Sequence, residues 1–239
     1  MTDRLAHVEA RIATVRKLSS VVAAMRGIAA ARSHDAQRRL AAIHAYAGAI
    51  AGGIAQALAA APVGAPRASD GPKTHAIVML CAEQGFAGPF SDRVFDALDA
   101  MPPDPGGRMI LLIGDRGAAP ARERGVVPDW TAAMMSDPDQ TDALAGRIID
   151  ALFAAMGDGR IDRVTLLGAA PTGLGAPEPV GPRALVPFDY ARFSAAEGAE
   201  PPLMTLPPAR LLEQLAQEYI FAEICEALTL SFAAENEAR

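Results

Sequence analysis

The first 61 residues of this 239-residue chain contain no proline, and large aliphatic side chains recur among them every three or four positions. The series opens with Leu5, Val8, Ile12 and Val15, and this spacing places one apolar stripe along a helix. A helix over about residues 3–60 is roughly 85 Å long, because each residue adds 1.5 Å. That length far exceeds the width of a small domain, so the helix must project.

A projecting helix needs a partner, because a narrow apolar seam gives an isolated helix little stability. Residues 209–239 contain neither Pro nor Gly, and residues 219–234 are apolar nearly all round, as expected of a buried helix. Residues 1–60 hold eight Lys or Arg and three acidic residues, a net charge of +5, whereas residues 207–239 hold two Arg and six Glu, a net charge of −4. We therefore predict an antiparallel coiled coil of the N- and C-terminal helices.

Composition excludes several classes of protein. The formal net charge is −6, and 51% of the residues are hydrophobic, which allows a sizeable core. The basic excess of the N-terminal segment is too small to indicate nucleic-acid binding. Cys81 and Cys225 form no disulfide framework, which is typical of a reducing cytoplasmic setting. Charged residues between Arg4 and Lys17 interrupt the place where a signal peptide has its apolar region, so we expect none.

A membrane span must be considered in the first helix. Residues 40–66 carry no Asp, Glu, Lys or Arg and are long enough to cross a bilayer. Ala and Gly fill most of this stretch, however, and Ile43, Ile50 and Ile54 fall on one helical stripe. We therefore predict a packed soluble helix and no transmembrane segment.

Between the terminal helices, strand-like and helix-like segments alternate, which predicts a Rossmann-like α/β domain with a mostly parallel sheet. The predicted strands are 75–81, 108–113, 163–167 and, more weakly, 126–130, and the predicted helices are 91–101, 115–124 and 139–156. Linkers rich in Pro, Gly and Ala cover 61–73 and 201–208. The predicted domains are therefore a first shaft helix (1–60), an α/β domain (74–195) and a second shaft helix (208–239).

The sequence offers little support for catalysis. Gly173-Leu174-Gly175 lacks the third glycine of a dinucleotide fingerprint, and there is no phosphate-binding loop and no nucleophile elbow. Cys81 is better explained as a core residue than as a nucleophile, and Asp115 as a turn or cap residue than as an acid or base. His7, His34, His44 and His75 are too scattered to chelate a metal and are expected to be solvated or capping residues. We therefore expect no cofactor, no metal and no catalytic residue.

Five segments together resemble the ATP synthase gamma subunits over nearly the whole chain. They are RIATV at 11–15, AMRGIAAAR at 24–32, EQGFAGPF at 83–90, GDRG at 114–117 and SFAAENEAR at 231–239. The resemblance departs from the family at Arg26-Gly27, where Lys-Met is usual, at Glu83-Gln84, where Asp-Arg is usual, and at Pro89-Phe90, where Gly-Leu is usual. These departures favour a divergent branch, similar to the alternate synthase-like ATPases of some bacteria.

The resemblance implies a non-catalytic rotor subunit that couples ion flow to ATP synthesis or hydrolysis. Its implied partners are the alpha and beta subunits, the epsilon subunit and the membrane c-subunit ring, on the cytoplasmic side of the bacterial inner membrane. Met25 and Arg26 occupy the position that meets an acidic loop of the beta subunits, and Arg239 occupies that of a basic residue which engages the alpha/beta ring.

Two further expectations concern the length of the shaft and an alternative function. Its last helix continues for tens of residues beyond the position of Arg239, so we expect either a truncated product or a short shaft. The alternative function is an independent α/β enzyme or sensor that dimerises through its terminal helices, because a parallel sheet of this kind also supports ligand binding.

Overall fold

The computed structural model describes residues 2–60, 73–172, 178–193 and 204–239. Within these ranges, two long helices at the ends of the sequence accompany an α/β domain of five strands and three helices. In chain order the elements are α1 (Thr2–Ala60), β1 (Thr74–Leu80), α2 (Phe90–Asp99), β2 (Arg108–Ile113), α3 (Ala118–Glu123), β3 (Trp130–Ala132), α4 (Thr141–Gly157), β4 (Ile161–Ala170), β5 (Glu178–Val186) and α5 (Pro208–Ala238).

α5 packs antiparallel along the second half of α1, and the two helices together form the shaft. Ile54, late in α1, packs against Leu212, early in α5. His44, which comes earlier in α1, has its Nε2 atom 2.9 Å from Oε1 of Glu226, which comes later in α5. The predicted antiparallel pairing of the terminal helices is therefore confirmed.

Apolar burial contributes more to the shaft than charge does. Ile54 and Leu212 are at most 1% exposed where the helices meet, and burial of such side chains stabilises a fold by about 1.5 to 3 kcal/mol each. Arg39 of the basic α1 pairs instead with Asp139, in the turn before α4, and with Asp142, in the first turn of α4, at 2.7 and 3.3 Å. The opposite net charges of the two segments therefore form only some of their ion pairs between α1 and α5.

The five strands form one mixed sheet in the order β3-β2-β1-β4-β5. β1 lies between β2 and β4 and is parallel to both, β3 is parallel to β2, and β5 is antiparallel to β4. Successive side chains of β1 point to opposite faces, so that Val78 packs with α4 and α5 and Met79 packs with α2 and α3. This arrangement confirms the predicted α/β class with a mostly parallel sheet.

Several predicted elements differ from those in the structure. The strand predicted at 126–130 is wrong in position, because β3 begins only at Trp130, which pairs with Leu111. Pro128 precedes it and has no N–H group to donate to a ladder.

The sequence pattern does not predict β5, since prolines at 179 and 182 interrupt it, but a strand at the edge of a sheet tolerates proline. α3 and α4 begin later than predicted because 3-10 turns precede them, at Asp115–Gly117 and Pro138–Gln140.

His75 corrects the expectation of a solvated or capping histidine, since it is 6% exposed. Its Nδ1 lies 3.0 Å from Asp104 Oδ1, and its Nε2 lies 2.8 Å from the hydroxyl of Thr165. An ionised carboxylate only accepts hydrogen bonds, so His75 donates from Nδ1 to Asp104, while its Nε2 pairs with the hydroxyl of Thr165. The ring thereby links β1, β4 and the loop before β2 at the amino ends of the strands.

Asp104 is the centre of this cluster, because Arg108 Nε lies 2.8 Å and an Arg163 guanidinium nitrogen 3.1 Å from its carboxylate. Burial acts to raise the pKa of Asp104, but hydrogen bonds from Arg108 and His75 lower it below the ordinary value of 3.8. The ionised carboxylate therefore stabilises the fold above that value, and its contribution is lost as the pH falls through the lower folded-state pKa.

We predict that Asp104→Asn lowers the free energy of unfolding at pH 7 by about 1.5 to 3 kcal/mol, the range for hydrogen bonds to charged groups. The difference from the wild type should shrink at pH 3, because the Asp104 carboxyl of the unfolded wild-type chain, whose pKa is near 3.8, then takes up a proton. Urea denaturation of the isolated chain at both pH values measures this. Asp99→Asn is the control, since that carboxylate is 60% exposed and should matter by less than about 1 kcal/mol. An equal loss for Asp104→Asn at both pH values would contradict the prediction.

Candidate functional site

The part of α1 before Met25 extends beyond the end of α5 and has no helix beside it in the described structure. Among the described side chains of α1, Ala29 is the first to be buried, at 2% exposure. We call residues 4–24 the projecting segment. Its large aliphatic side chains are between 46% and 64% exposed: Leu5, Val8, Ile12, Val15, Leu18, Val21 and Val22.

An exposed apolar stripe of this length indicates a binding surface. Soluble proteins rarely leave large contiguous apolar patches in water unless these contact a partner. The stripe continues the same seam that α5 covers further along α1, so its spacing suits helical or groove-like partner surfaces. Arg11 and Arg16 lie exposed on the same segment, which favours a partner surface with negative charge.

An open groove of about 460 Å³ lies where the last turn of α5 meets α1. Its walls are mostly polar or small, and its lining residues are Arg26, Ala30, Ser33, His34, Gln37, Asn236, Glu237, Ala238 and Arg239. Two guanidinium groups therefore border one concave surface at the base of the projecting segment. Such groups donate paired, charge-assisted hydrogen bonds to carboxylates.

The structure brings together two of the three residues singled out from the sequence. Arg26 is exposed and Arg239 is half-buried, and both line the groove. Met25 is half-buried and lies outside the lining of the groove, at the start of the part of α1 that α5 covers. The contact roles of Met25, Arg26 and Arg239 stay predictions.

The crevice in which α/β proteins usually bind ligands is filled by the protein itself. Such ligands bind outside the carboxyl ends of strands where the strand order reverses, which here is between β1 and β4. Ala234 of α5 packs there against Ala82 and Ala169. The carboxylate of Glu235, which is 2% exposed, accepts hydrogen bonds from the backbone N–H groups of Glu83 and Gln84 at 3.0 and 2.8 Å.

Glu235 is a residue that reasoning from the sequence missed. Burial raises the pKa of its carboxyl, while the two backbone N–H groups act in the opposite direction. The sequence feature that could have indicated a buried carboxylate is the polar pair Glu235-Asn236, which directly follows a long apolar run in α5. A polar side chain on the buried side of a helix requires a hydrogen-bonding partner, and the loop after β1 supplies it.

Cys81 is a buried core thiol, as the sequence predicts. It is 0% exposed, and burial raises its pKa to about 12, so the reactive thiolate is disfavoured. Gly117 of the GDRG turn is required beside it, because a Cβ atom there would lie 2.9 Å from the Cys81 sulfur. Asp115 is exposed and lies in the same turn, as expected. The 3-10 turn Asp115–Gly117 has no side-chain cap, so the expected capping role of Asp115 is wrong.

Two other kinds of site are relevant to the described ranges, a metal cluster and a membrane span. No group of three or more His, Cys, Asp or Glu side chains there could hold a metal ion. By length and composition alone, the helix from Arg4 to Ala60 contains a window that could cross a membrane, and 17% of that window is buried. The absence of a transmembrane segment stays a prediction.

The fold and the projecting surface define a class of protein, a stalk in which a two-helix shaft carries an α/β domain. The ATP synthase family model matches residues 4–239. The ATP synthase gamma chain of Streptomyces avermitilis is 27% identical, and the match covers 95% of this chain and 79% of that one. The gamma chain of Streptomyces coelicolor is 26% identical over the same shares. The chain therefore belongs to the ATP synthase family, as a relative of its gamma chains.

Solved structures agree with this at the level of the fold. A chain in the central stalk and c-ring structure of the Tetrahymena thermophila mitochondrial ATP synthase has a TM-score of 0.61 at 16% identity, covering 91% of this chain and 95% of that chain. A chain of the Euglena gracilis mitochondrial ATP synthase rotor has a TM-score of 0.52 at 12% identity, covering 89% and 87%. The architecture of shaft and α/β domain is thus shared with chains of these two structures.

We predict that the projecting segment adds little to the stability of the isolated chain. Ile12→Ala should change the free energy of unfolding by no more than about 0.5 kcal/mol, because Ile12 is 46% exposed. Ile54→Ala on the same helix should cost about 2 to 5 kcal/mol, because Ile54 is 0% exposed. Urea denaturation of the two variants measures the difference. Similar losses would mean that the projecting segment is packed in the isolated chain.

Proposed function

We propose that this chain is the central rotor shaft of an F-type ATP synthase or ATPase and couples ion flow to ATP synthesis or hydrolysis without catalysing either. The observation that carries the proposal is the projecting segment, an apolar helix surface that extends beyond its own partner helix. In this proposal the segment turns inside the ring of alpha and beta subunits. The α/β domain rests with the epsilon subunit on the membrane c-subunit ring, at the cytoplasmic side of a bacterial inner membrane.

The shape of the shaft suits mechanical coupling. A single asymmetric rod presents a different face to each of three equivalent catalytic sites, so its angle favours a different conformation in each. The surface of the projecting segment differs around the helix axis. It carries aliphatic residues such as Ile12 and Val15 and, at neighbouring positions, the charged Arg11 and Arg16. Differential contact energy, and not chemistry on this chain, then transmits the rotation.

The groove at the base of the projecting segment supplies the proposed charged contact. Arg26 and Arg239 would donate charge-assisted hydrogen bonds to an acidic loop of the ring, and Met25 would pack beside them. We also propose the division into a first shaft helix at 1–60, an α/β domain at 74–195 and a second shaft helix at 208–239.

Copurification tests the assembly directly. The full chain, coexpressed with the alpha and beta subunits of the same source, should purify with them as one complex. A stable homodimer that holds a bound metabolite and does not bind those subunits would support the alternative of an independent enzyme or sensor, and would overturn the proposal.

We predict that the isolated chain does not bind ATP. The sequence has no phosphate-binding loop, and α5 fills the crevice at the carboxyl ends of β1 and β4, where Ala234 packs against Ala82 and Ala169. Isothermal titration calorimetry with ATP and Mg²⁺ should give no binding heat. Micromolar affinity without other subunits would contradict the assignment of a non-catalytic shaft.

We predict that Arg26→Glu preserves folding and impairs coupling. Arg26 is exposed, so its reversal should change the stability of the isolated chain by less than about 1 kcal/mol. Within the complex a glutamate would face the acidic loop and lose complementarity. The measurements are the melting temperature of the chain and ion pumping per ATP by the reconstituted complex. Arg122→Glu is the control, because Arg122 is exposed on α3, away from the groove. A variant that unfolds, or one that couples normally, would refute this role for Arg26.

A further inference from the structure

Two buried or half-buried carboxylates connect the end of the shaft to three strands of the sheet. Glu235 of α5 accepts from the backbone N–H groups of Glu83 and Gln84, directly after β1. The carboxylate of Glu83 then accepts from the N–H of Met134 at 2.8 Å and from that of Asp115 at 3.2 Å. Asp115 follows β2 and Met134 follows β3. We call this series of contacts the carboxylate relay.

The loop after β1 forms a cradle for an anion, and the shaft supplies that anion. Two successive backbone N–H groups that point to one place bind negative groups well. Here both carboxylate oxygens of Glu235 are used, one for each N–H group. The position at which an α/β protein would hold the phosphate or carboxylate of a ligand is thus occupied by a residue of its own last helix.

The relay supplies a directional contact that apolar packing lacks. α5 packs on the sheet through aliphatic residues such as Ile224 and Leu228, and such contacts are non-directional. They hold α5 against the sheet but only weakly define its position along its own axis. Two short hydrogen bonds from Glu235 to consecutive N–H groups define that position, because hydrogen bonds depend steeply on distance and angle.

We propose that Glu235 is a positioning residue of the shaft, which fixes the last turn of α5 against the loop after β1 and therefore influences where Arg239 lies in the groove. Arg239 comes four residues after Glu235, one helical turn later on the same side of the helix. The groove is formed from both helices, so a shift of α5 along its axis would change the distance between Arg26 and Arg239. The role of this position in coupling rests on the proposed function, whereas the positioning itself does not.

Amide hydrogen exchange of the isolated full chain, followed by NMR, tests the positioning. In the wild type the amides of Glu83 and Gln84 should exchange slowly although they lie in a loop. Glu235→Gln keeps the size of the side chain but replaces one acceptor oxygen by an NH₂ group that cannot accept. Exchange at one or both amides should then rise about tenfold or more. Exchange at Asp115 and Met134 should rise as well, because Glu83 moves with its loop.

Glu237→Gln is the matched control on the same turn of α5. Its carboxylate accepts from the N–H of Thr172 at 3.0 Å, so the amides of Glu83 and Gln84 should keep their wild-type exchange in this variant. Rapid exchange of Glu83 and Gln84 in the wild type would overturn the proposal without any variant. Unchanged exchange in a folded Glu235→Gln chain would overturn it as well.

Reconstituted complexes separate positioning from general stability. With Glu235→Gln, assembly and ATP hydrolysis should stay near wild-type levels, while ions moved per ATP should fall several-fold. A merely structural role would lower assembly, hydrolysis and pumping together. Glu213→Gln, an exposed change at the other end of α5, should couple normally. Failure of the wild-type chain to assemble would overturn the proposed function and leave the exchange result standing, whereas normal coupling by Glu235→Gln would overturn its role in coupling alone.

Discussion

The apolar seam between α1 and α5 is the contact on which the rest of the structure depends. These helices come from opposite ends of the chain, and Ile54 and Leu212 are buried where they meet. Without α5, the seam of α1 would face water along its whole length, and an isolated amphipathic helix gains little stability from itself. α5 also packs on the sheet through Ile224 and Leu228. One helix therefore holds the shaft together and attaches the α/β domain to it.

This double use of α5 explains why, in the described structure, the crevice between β1 and β4 of this Rossmann-like sheet is filled by the protein itself. The strand order reverses between β1 and β4, the place at which such folds bind ligands. In this chain Glu235 occupies the cradle of N–H groups after β1. The same geometry that recognises an anionic ligand in an enzyme serves here to attach a helix. Function on this fold must therefore be argued from the site and not from the sheet.

The sequence predicted long-range features that depend on periodicity and missed those that depend on individual contacts. The length of α1 and its antiparallel partner follow from aliphatic spacing and the absence of proline. β5 could not be predicted, because its prolines are acceptable only at an edge position that the sheet order defines. The burial of His75 depends on Asp104 and Thr165, which are distant in sequence. Of the candidate site, Arg26 and Arg239 were predicted separately, and only the fold places them in one groove.

The distribution of burial along α1 connects stability with function. From Ala29 onwards the helix has buried positions, whereas the aliphatic residues of the projecting segment are exposed. Contacts among the described residues therefore do not explain these aliphatic side chains. An apolar surface that is exposed to water and adds little to the free energy of unfolding is explained by a partner that covers it. The groove with Arg26 and Arg239 lies where the self-paired part of α1 meets the projecting part, so a partner that covers the apolar stripe and continues towards α5 would meet both guanidinium groups.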